Sequence, residues 1–164
     1  MAANTRASSS YFTLRRGGEE IHVPFGYRFQ PSDEDLLLSY LLKRLLRLPL
    51  PADIIFDIDD VFSYNPNQLP KNEEAWMENT AYFFVPVLET NHNDDSSGLK
   101  VRTPDGYWRV CGDVVVVMDE RRRRIGFKKT LVFYQGHEPG MRTSWTMVEY
   151  KINMDLDELK DKEV

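Results

Sequence analysis

Eleven Lys/Arg residues stand against six Asp/Glu between residues 98 and 152, a local net charge of +5 in a chain whose overall net charge is -5. Residues 1–97 carry 8 cations against 15 acids, and residues 153–164 carry 2 against 5. Phosphate neutralisation needs local Lys/Arg density, not a basic whole, so a polyanion could be met by this one third of the chain. The run Arg121, Arg122, Arg123, Arg124 is its densest part and has the composition of a phosphate-contacting or nuclear-import patch. A solvated basic hairpin would show the same charges, and charge alone leaves both readings open. Catalytic chemistry finds no comparable support. His137 and Asp105 are isolated, and no triad or phosphate loop is present. His22, His92, His137 and the single Cys111 lack metal-ligand spacing. The expectation is a protein that is not an enzyme, with no metal, cofactor or small-molecule substrate. Nothing near Cys111 in sequence activates a thiolate, so it reads as a small packed residue.

The elements around these residues are legible from period and punctuation. Met1–Glu20 is rich in Ala, Ser, Thr and Gly and reads as a flexible arm, with order beginning near Ile21. Ser32 precedes Asp33, Glu34 and Asp35, Lys43, Arg44 and Arg47 follow, and Pro49 blocks continuation, which predicts a helix over about 32–47. Leu37, Tyr40, Leu41, Leu45 and Leu48 recur at helical spacing and define its core face. Asp53–Ser63 fits a short helix and turn, and Asn65–Pro70 a turn over the surface. The period then becomes that of strands: 81–85, 106–110, 114–118, 127–134 and 145–152, with a polar loop at 91–98, a hairpin tip at 119–124 and a connection at 136–142. Sequential strands with short links predict an antiparallel sheet. One cysteine forbids an internal disulfide, no stretch of about 18 apolar residues offers a membrane span, and the N-terminus lacks a signal-peptide core. A soluble, intracellular protein is expected.

Five collinear blocks resemble the plant NAC family. Val23-Pro24-Phe25-Gly26-Tyr27-Arg28-Phe29-Gln30-Pro31-Ser32-Asp33-Glu34-Asp35-Leu36 resembles its opening Leu-Pro-Pro-Gly-Phe-Arg-Phe-His-Pro-Thr-Asp-Glu-Glu-Leu. The segment Asp60–Pro70 resembles Asp-Leu-Tyr-x-x-x-Pro-Trp-Asp-Leu-Pro, and Tyr82-Phe83-Phe84 its Tyr-Phe-Phe strand. Residues 126–134 and 142–150 resemble Gly-x-Lys-Lys-Thr-Leu-Val-Phe-Tyr and Arg-Thr-x-Trp-x-Met-x-Glu-Tyr. The resemblance implies an α+β, mainly β fold, a twisted antiparallel sheet flanked by a few helices. It implies an arm over 1–20, the NAC domain over 21–152 and an acidic tail over 153–164. It also implies a nuclear transcription factor, dimeric with itself or another NAC protein, that inserts a strand edge into the major groove of double-stranded DNA at CGT/ACG-type sites.

The dimer of the family forms through the opening segment, here Val23, Pro24, Phe25, Gly26, Tyr27 and Arg28, with Arg28 matching an arginine that pairs with the partner's glutamate, here Asp35. A local helix-start ion pair is the alternative for Arg28 and Asp35. The family's reading strand, Trp-Lys-Ala-Thr-Gly-Lys-Asp, is matched by Trp108-Arg109-Val110-Cys111-Gly112-Asp113-Val114. Trp108 is expected in the core and Gly112 at a close backbone approach. Arg109 can hold phosphate or guanine, whereas Asp113 opposes phosphate. Lys100, Arg102, Lys128, Lys129 and Arg142 match cations that support DNA binding in the family, joined here by Arg121–Arg124. Gly136-His137-Glu138-Pro139-Gly140 replaces a more basic loop. The second reading is a NAC-fold interaction protein that modulates other NAC proteins with weak or lost DNA binding, which Asp113 and Glu138 would explain.

Overall fold

The computed structural model describes residues 11–16, 18–24, 30–70, 80–87 and 99–161, with the backbone alone for 11–16 and 21–24. Four strands form the main sheet in the order β5-β6-β7-β8, all antiparallel: β5 Lys100–Arg102, β6 Gly106–Met118, β7 Arg124–Gln135 and β8 Met141–Ile152. The two strands expected at 106–110 and 114–118 are one strand. Gly112, at φ 76°, takes up the irregularity as a bulge between Cys111 and Val115, where a turn would have ended the strand. The hairpin tip falls at 119–123, as expected.

Two differences lie upstream. Part of the expected arm is a hairpin, β1 Tyr11–Arg16 paired antiparallel with β2 Glu19–Pro24, turning at Gly18 with φ 86°. Its strand-forming run Tyr11-Phe12-Thr13-Leu14, with Ile21 and Val23 at alternate positions of β2, is diluted in the composition of the arm as a whole. In addition, β3 Phe56–Asp57 pairs in parallel with β4 Phe83–Phe84, a two-residue exception to the antiparallel expectation. The loop expected at 91–98 lies outside the described residues.

The helix, α1, runs as π-helix over Asp35–Leu42 and as α-helix over Lys43–Leu45. The wider i to i+5 turn changes which leucines share a face. Leu37 is fully buried together with Tyr40 and Leu42, five residues on from Leu37, while Leu45 and Leu48 are exposed. The 3.6-residue stripe therefore placed Leu45 and Leu48 wrongly in the core and omitted Leu42. Helix α1 ends where Arg47 turns left-handed (φ 55°) and the N–H of Leu48 donates to the carbonyl of Lys43.

Hydrophobic clusters cover opposite faces of the sheet at opposite ends. Near the hairpin tip, α1 lies on one face through Leu37 and Leu42, packed with Val117, Ile125 and Ile152. Leu156 and Leu159, flanking and within the short helix α2 (Asp157–Lys160), join this cluster, so part of the acidic tail is anchored. Gly126 permits the approach: a Cβ there would sit 2.8 Å from both Leu37 methyl carbons and 2.5 Å from the Lys151 carbonyl oxygen. Near β5, Trp108, Leu131 and Phe133 pack on the other face against Phe62, Trp145 and Met147. Trp108 is in the core, as expected. Two quarters of the sheet remain uncovered among the described residues, one beside β5 and one beside the tip.

Candidate nucleic-acid interface

The uncovered quarter beside β5 gathers four of the expected cations, Lys100 and the exposed Arg102 on β5, Arg109 on β6 and Arg142 on β8. Directly paired residues of antiparallel strands share a face, and Lys100 pairs with Arg109, Arg109 with Val132, and Tyr134 with Arg142. Arg109, Cys111, Val132, Tyr134 and Arg142 line one shallow, open depression. Arg109 and Arg142 are exposed, and neither guanidinium has an acidic partner among the described residues. A guanidinium in that state keeps its full capacity for bidentate phosphate or guanine contact. Cys111 is exposed at the rim instead of packed. It lies where β6 has lost its outer neighbour, so its small size did not bury it.

Lys100 is differently placed. Its Nζ is held by the Glu138 carboxylate and lies 5.8 Å from the centre of the Tyr107 ring. Tyr107 stacks on Tyr134 with ring centres 5.3 Å apart, and its hydroxyl accepts from the N–H of Gly140 at 3.1 Å. The 136–140 connection is thus anchored beside β6, with its one acid on the cation of β5. The acid was recognised from sequence; its contact with Lys100 spans 38 residues and has no local signal.

A buried amide positions β5. Asn65, 4% exposed, donates to Asp105 Oδ2 at 2.7 Å and Gln68 Oε1 at 2.9 Å, and accepts from the Thr103 hydroxyl at 2.8 Å and the Asp105 N–H at 2.9 Å. The segment expected as a turn forms a short 3-10 helix, Pro66–Gln68, capped by Asn65, and Asn65 and Pro66 are buried because it serves as the seat of the β5–β6 connection. Turn propensity cannot distinguish a surface loop from one closed over by a distant strand.

The remaining cations are dispersed. Lys128 and Lys129 point to opposite faces, as neighbours in a strand must. Lys128 Nζ lies 2.7 Å from Asp33 Oδ2, and the Tyr150 hydroxyl donates to Asp33 Oδ1 at 2.6 Å. Burial works to raise the Asp33 carboxyl, but hydrogen bonds from Lys128 and Tyr150 outweigh it and hold it below the ordinary value. Burial, reinforced by the hydrogen bond to Asp33, pushes the Tyr150 phenol up. This cluster clamps the start of α1 to the sheet, and Lys128 is committed to it. Lys129 lies 3.7 Å from Glu149. At the tip, Asp119 accepts from the backbone of Arg121 and Arg123, and Arg123 also pairs with Glu158 at 2.7 Å. Arg121, Arg122 and Arg124 are exposed and without acidic partners among the described residues. Nine residues of β6 separate Arg109 and Asp119, roughly 30 Å at strand rise. Asp113 is exposed immediately after Gly112.

Of the expected dimer residues, the structure gives the backbone of Val23 and Pro24 in β2, while Phe25, Gly26, Tyr27 and Arg28 lie outside the described residues. Asp35 forms a reciprocal cap with Ser32: the Asp35 N–H donates to Ser32 Oγ at 3.0 Å, and the Ser32 N–H donates to Asp35 Oδ2 at 3.1 Å. No group of His, Cys, Asp and Glu suited to a metal ion occurs among the described residues, and none of their helices is long and apolar enough to cross a membrane.

A long antiparallel sheet with one cationic quarter, clamped by a helix whose start carries the Asp33 contact, is the framework that comparison with known proteins can place. The sequence profile of the No apical meristem (NAM) protein family matches residues 24–152, and the chain belongs to that family. It is 39% identical over 135 residues to NAC domain-containing protein 83 of Arabidopsis thaliana, covering 81% of this chain and 51% of that protein. It is 36% identical over 132 residues to NAC transcription factor 25 of the same plant, covering 80% and 40% respectively. NAC transcription factor NAM-1 of barley, Hordeum vulgare, is 34% identical over 143 residues, covering 84% of this chain and 34% of that protein. The chain thus spans about a third to a half of the length of these relatives. Their names agree with the expectation of a regulator and not an enzyme.

Proposed function

We propose that this chain is the DNA-binding domain of a nuclear transcription factor, docking through the β5 end of its sheet. The observation that carries the proposal is the convergence of Arg109 and Arg142 on one depression, both exposed and without acidic partners among the described residues. Lys100 stands beside Arg109 and becomes available when Glu138 lets go. The tip arginines supply a second phosphate contact somewhat under one duplex turn away. Lys128 acts by clamping the helix and not by touching phosphate. The relatives named as transcription factors support this reading. The test is a titration of a CGT/ACG-containing duplex against a scrambled one at two salt concentrations. Preference for the first, with affinity falling as salt rises, is expected; equal, weak and salt-independent binding would refute it.

The chain acts as a dimer in this proposal, through residues 23–28 with itself or another NAC protein. Arg28→Glu is expected to weaken the dimer, and a monomer by light scattering at tens of micromolar would remove the homodimer. Asp35 Oδ2 is engaged by the cap, so Arg28 of a partner would have to share this carboxylate. The second reading, an interaction protein with weak DNA binding, is favoured by one specific fact: the acids Glu138 and Asp33 neutralise Lys100 and Lys128.

A further inference from the structure

The hairpin tip carries a side chain that its backbone disfavours. The loop between β6 and β7 consists of Glu120, Arg121 and Arg122, closed by the N–H of Asp119 donating to the Arg123 carbonyl at 3.0 Å and the N–H of Arg122 donating to the Asp119 carbonyl at 2.9 Å. Its last residue, Arg122, is left-handed at φ 60°. Hairpins with a loop of this length ordinarily place glycine there, because a side chain in that conformation crowds its own backbone. Arg122 is exposed and has no acidic partner among the described residues. An arginine held against the backbone preference, with a guanidinium that no part of the fold uses, marks a position kept for its side chain and not for its turn.

The rest of the tip fixes the frame of that side chain. The Asp119 carboxylate, only 8% exposed, accepts from the N–H of Arg121 at 3.0 Å, from the N–H of Arg123 at 2.8 Å and from Arg123 Nε at 3.0 Å. On its other side the Arg123 guanidinium donates to Glu158 of α2 at 2.7 Å. That helix is itself seated: Leu156 and Leu159 lie in the cluster beneath α1, and Asn153 donates at 2.9 Å to the carbonyls of both Ile125 and Arg124. All of these C-terminal residues follow position 152, where the family profile ends. Arg123 is thus committed to two carboxylates, while Arg121, Arg122 and Arg124 face solvent beside the exposed Glu120. We propose that the tip is a preformed phosphate clasp for duplex DNA in which Arg122, flanked by Arg121 and Arg124, makes the contact, and Asp119, Arg123 and Glu158 are positioning residues. A guanidinium delivered from an ordered turn loses less conformational freedom on meeting phosphate than one on a mobile loop. The inference rests on the DNA reading above and divides the arginine run into residues that contact and one that positions.

The test is a titration of CGT/ACG duplex on the full chain at several salt concentrations, with thermal melts of the same variants. Arg122→Gly is expected to raise Tm by about 2–4 °C, because the left-handed position is relieved of its side chain. It is nevertheless expected to weaken binding by about threefold to tenfold at low salt, with a log-log slope shallower by about 0.9. Glu158→Gln separates positioning from contact. Were Arg123 a phosphate ligand held in check by Glu158, its release would tighten binding and steepen the slope. A positioning role predicts binding weaker by about threefold with the slope kept, together with faster hydrogen exchange at the 121–123 amides. Removal of an acid favours duplex binding by charge alone, so weaker binding reports lost positioning. The Arg123→Gln, Glu158→Gln double variant, unchanged in net charge, is expected to behave in the same way. An Arg122→Gly chain that melts no higher or binds like wild type, or a Glu158→Gln chain that binds as tightly as wild type or more so, would overturn the proposal. A wild-type chain without salt-dependent duplex binding would remove the DNA reading and this inference together. Binding that falls in the Arg109→Ala, Arg142→Ala double variant but not in Arg122→Gly would strike this inference alone.

Discussion

Glu138→Gln is expected to tighten duplex binding, although it removes an ion pair from the folded protein. In the wild-type chain a phosphate can claim Lys100 only by displacing the Glu138 carboxylate. The Lys100 side chain is 22% exposed and that of Glu138 60%, so solvent screens the pair on one side. Exposed pairs are worth about 0.2–1 kcal/mol, and the half-buried lysine places this one toward the upper end. Releasing Lys100 at a similar cost raises affinity about threefold to fivefold. It also adds one cation to the set that displaces counterions, so the log-log salt slope steepens by about 0.9. The gain shrinks as salt rises, because the competing pair is itself screened. Glutamine keeps the shape and an acceptor oxygen, and Tyr107 still holds the loop through Gly140. The assay is an anisotropy titration of labelled duplex at several salt concentrations, with thermal melts as a control on folding. Affinity that is unchanged or lower at low salt, in a variant melting like wild type, would refute the reasoning that Lys100 faces DNA.

Asp113→Lys is expected to tighten duplex binding by about tenfold, near 1.4 kcal/mol, through reversal of charge on the strand carrying Arg109; an unchanged salt slope in the same titration would place residue 113 outside the contact. Asn65→Ala leaves Asp105 and Thr103 without their buried partner and is expected to cost about 3 kcal/mol, a drop in Tm of roughly 6–12 °C for a domain of this size, read by calorimetry. The Asp33 carboxyl is depressed in the folded state, so its contribution is present above the unfolded value near 4 and is lost as pH falls through the folded one. The Tyr150 phenol is raised, so its contribution is present below about 10 and is lost as pH rises beyond that. Denaturant melts against pH are expected to show both losses in the wild type. Asp33→Asn is expected to flatten the acid loss and reduce the alkaline one; an unchanged profile would mean that the clamp does not contribute.

What the sequence disclosed follows the range of the interactions concerned. Ser32 with three acids, and Pro49 beyond a leucine run, mark the ends of α1 by local chemistry, and the helix lies there. Its π-helical turns carry no local signature, so the periodicity of Leu45 and Leu48 misled. The strands β6, β7 and β8 were visible as aromatic and β-branched runs, but Gly112 has the same composition whether it bulges a strand or ends it. The tip arginines and Arg109 were legible as charges. Which cations stay uncommitted was not, because Lys128 meets Asp33 across 95 residues and Lys100 meets Glu138 across 38. Asn65 shows the same limit: its turn signal is local, and its burial is set by Thr103 and Asp105.

The claim that the β5 end of the sheet meets DNA rests on Arg109 and Arg142, and the salt dependence of duplex affinity in the Arg109→Ala, Arg142→Ala double variant tests it most directly. Both side chains are exposed, so the variant is expected to melt like wild type. The account predicts a log-log salt slope shallower by about 1.8, two phosphate contacts at about 0.9 each, and a loss of affinity that is largest at low salt. If Arg109 also reads guanine, the preference for the CGT/ACG duplex over a scrambled one falls as well. A double variant that binds with the wild-type slope and affinity would contradict the account and place the DNA contact elsewhere on the molecule.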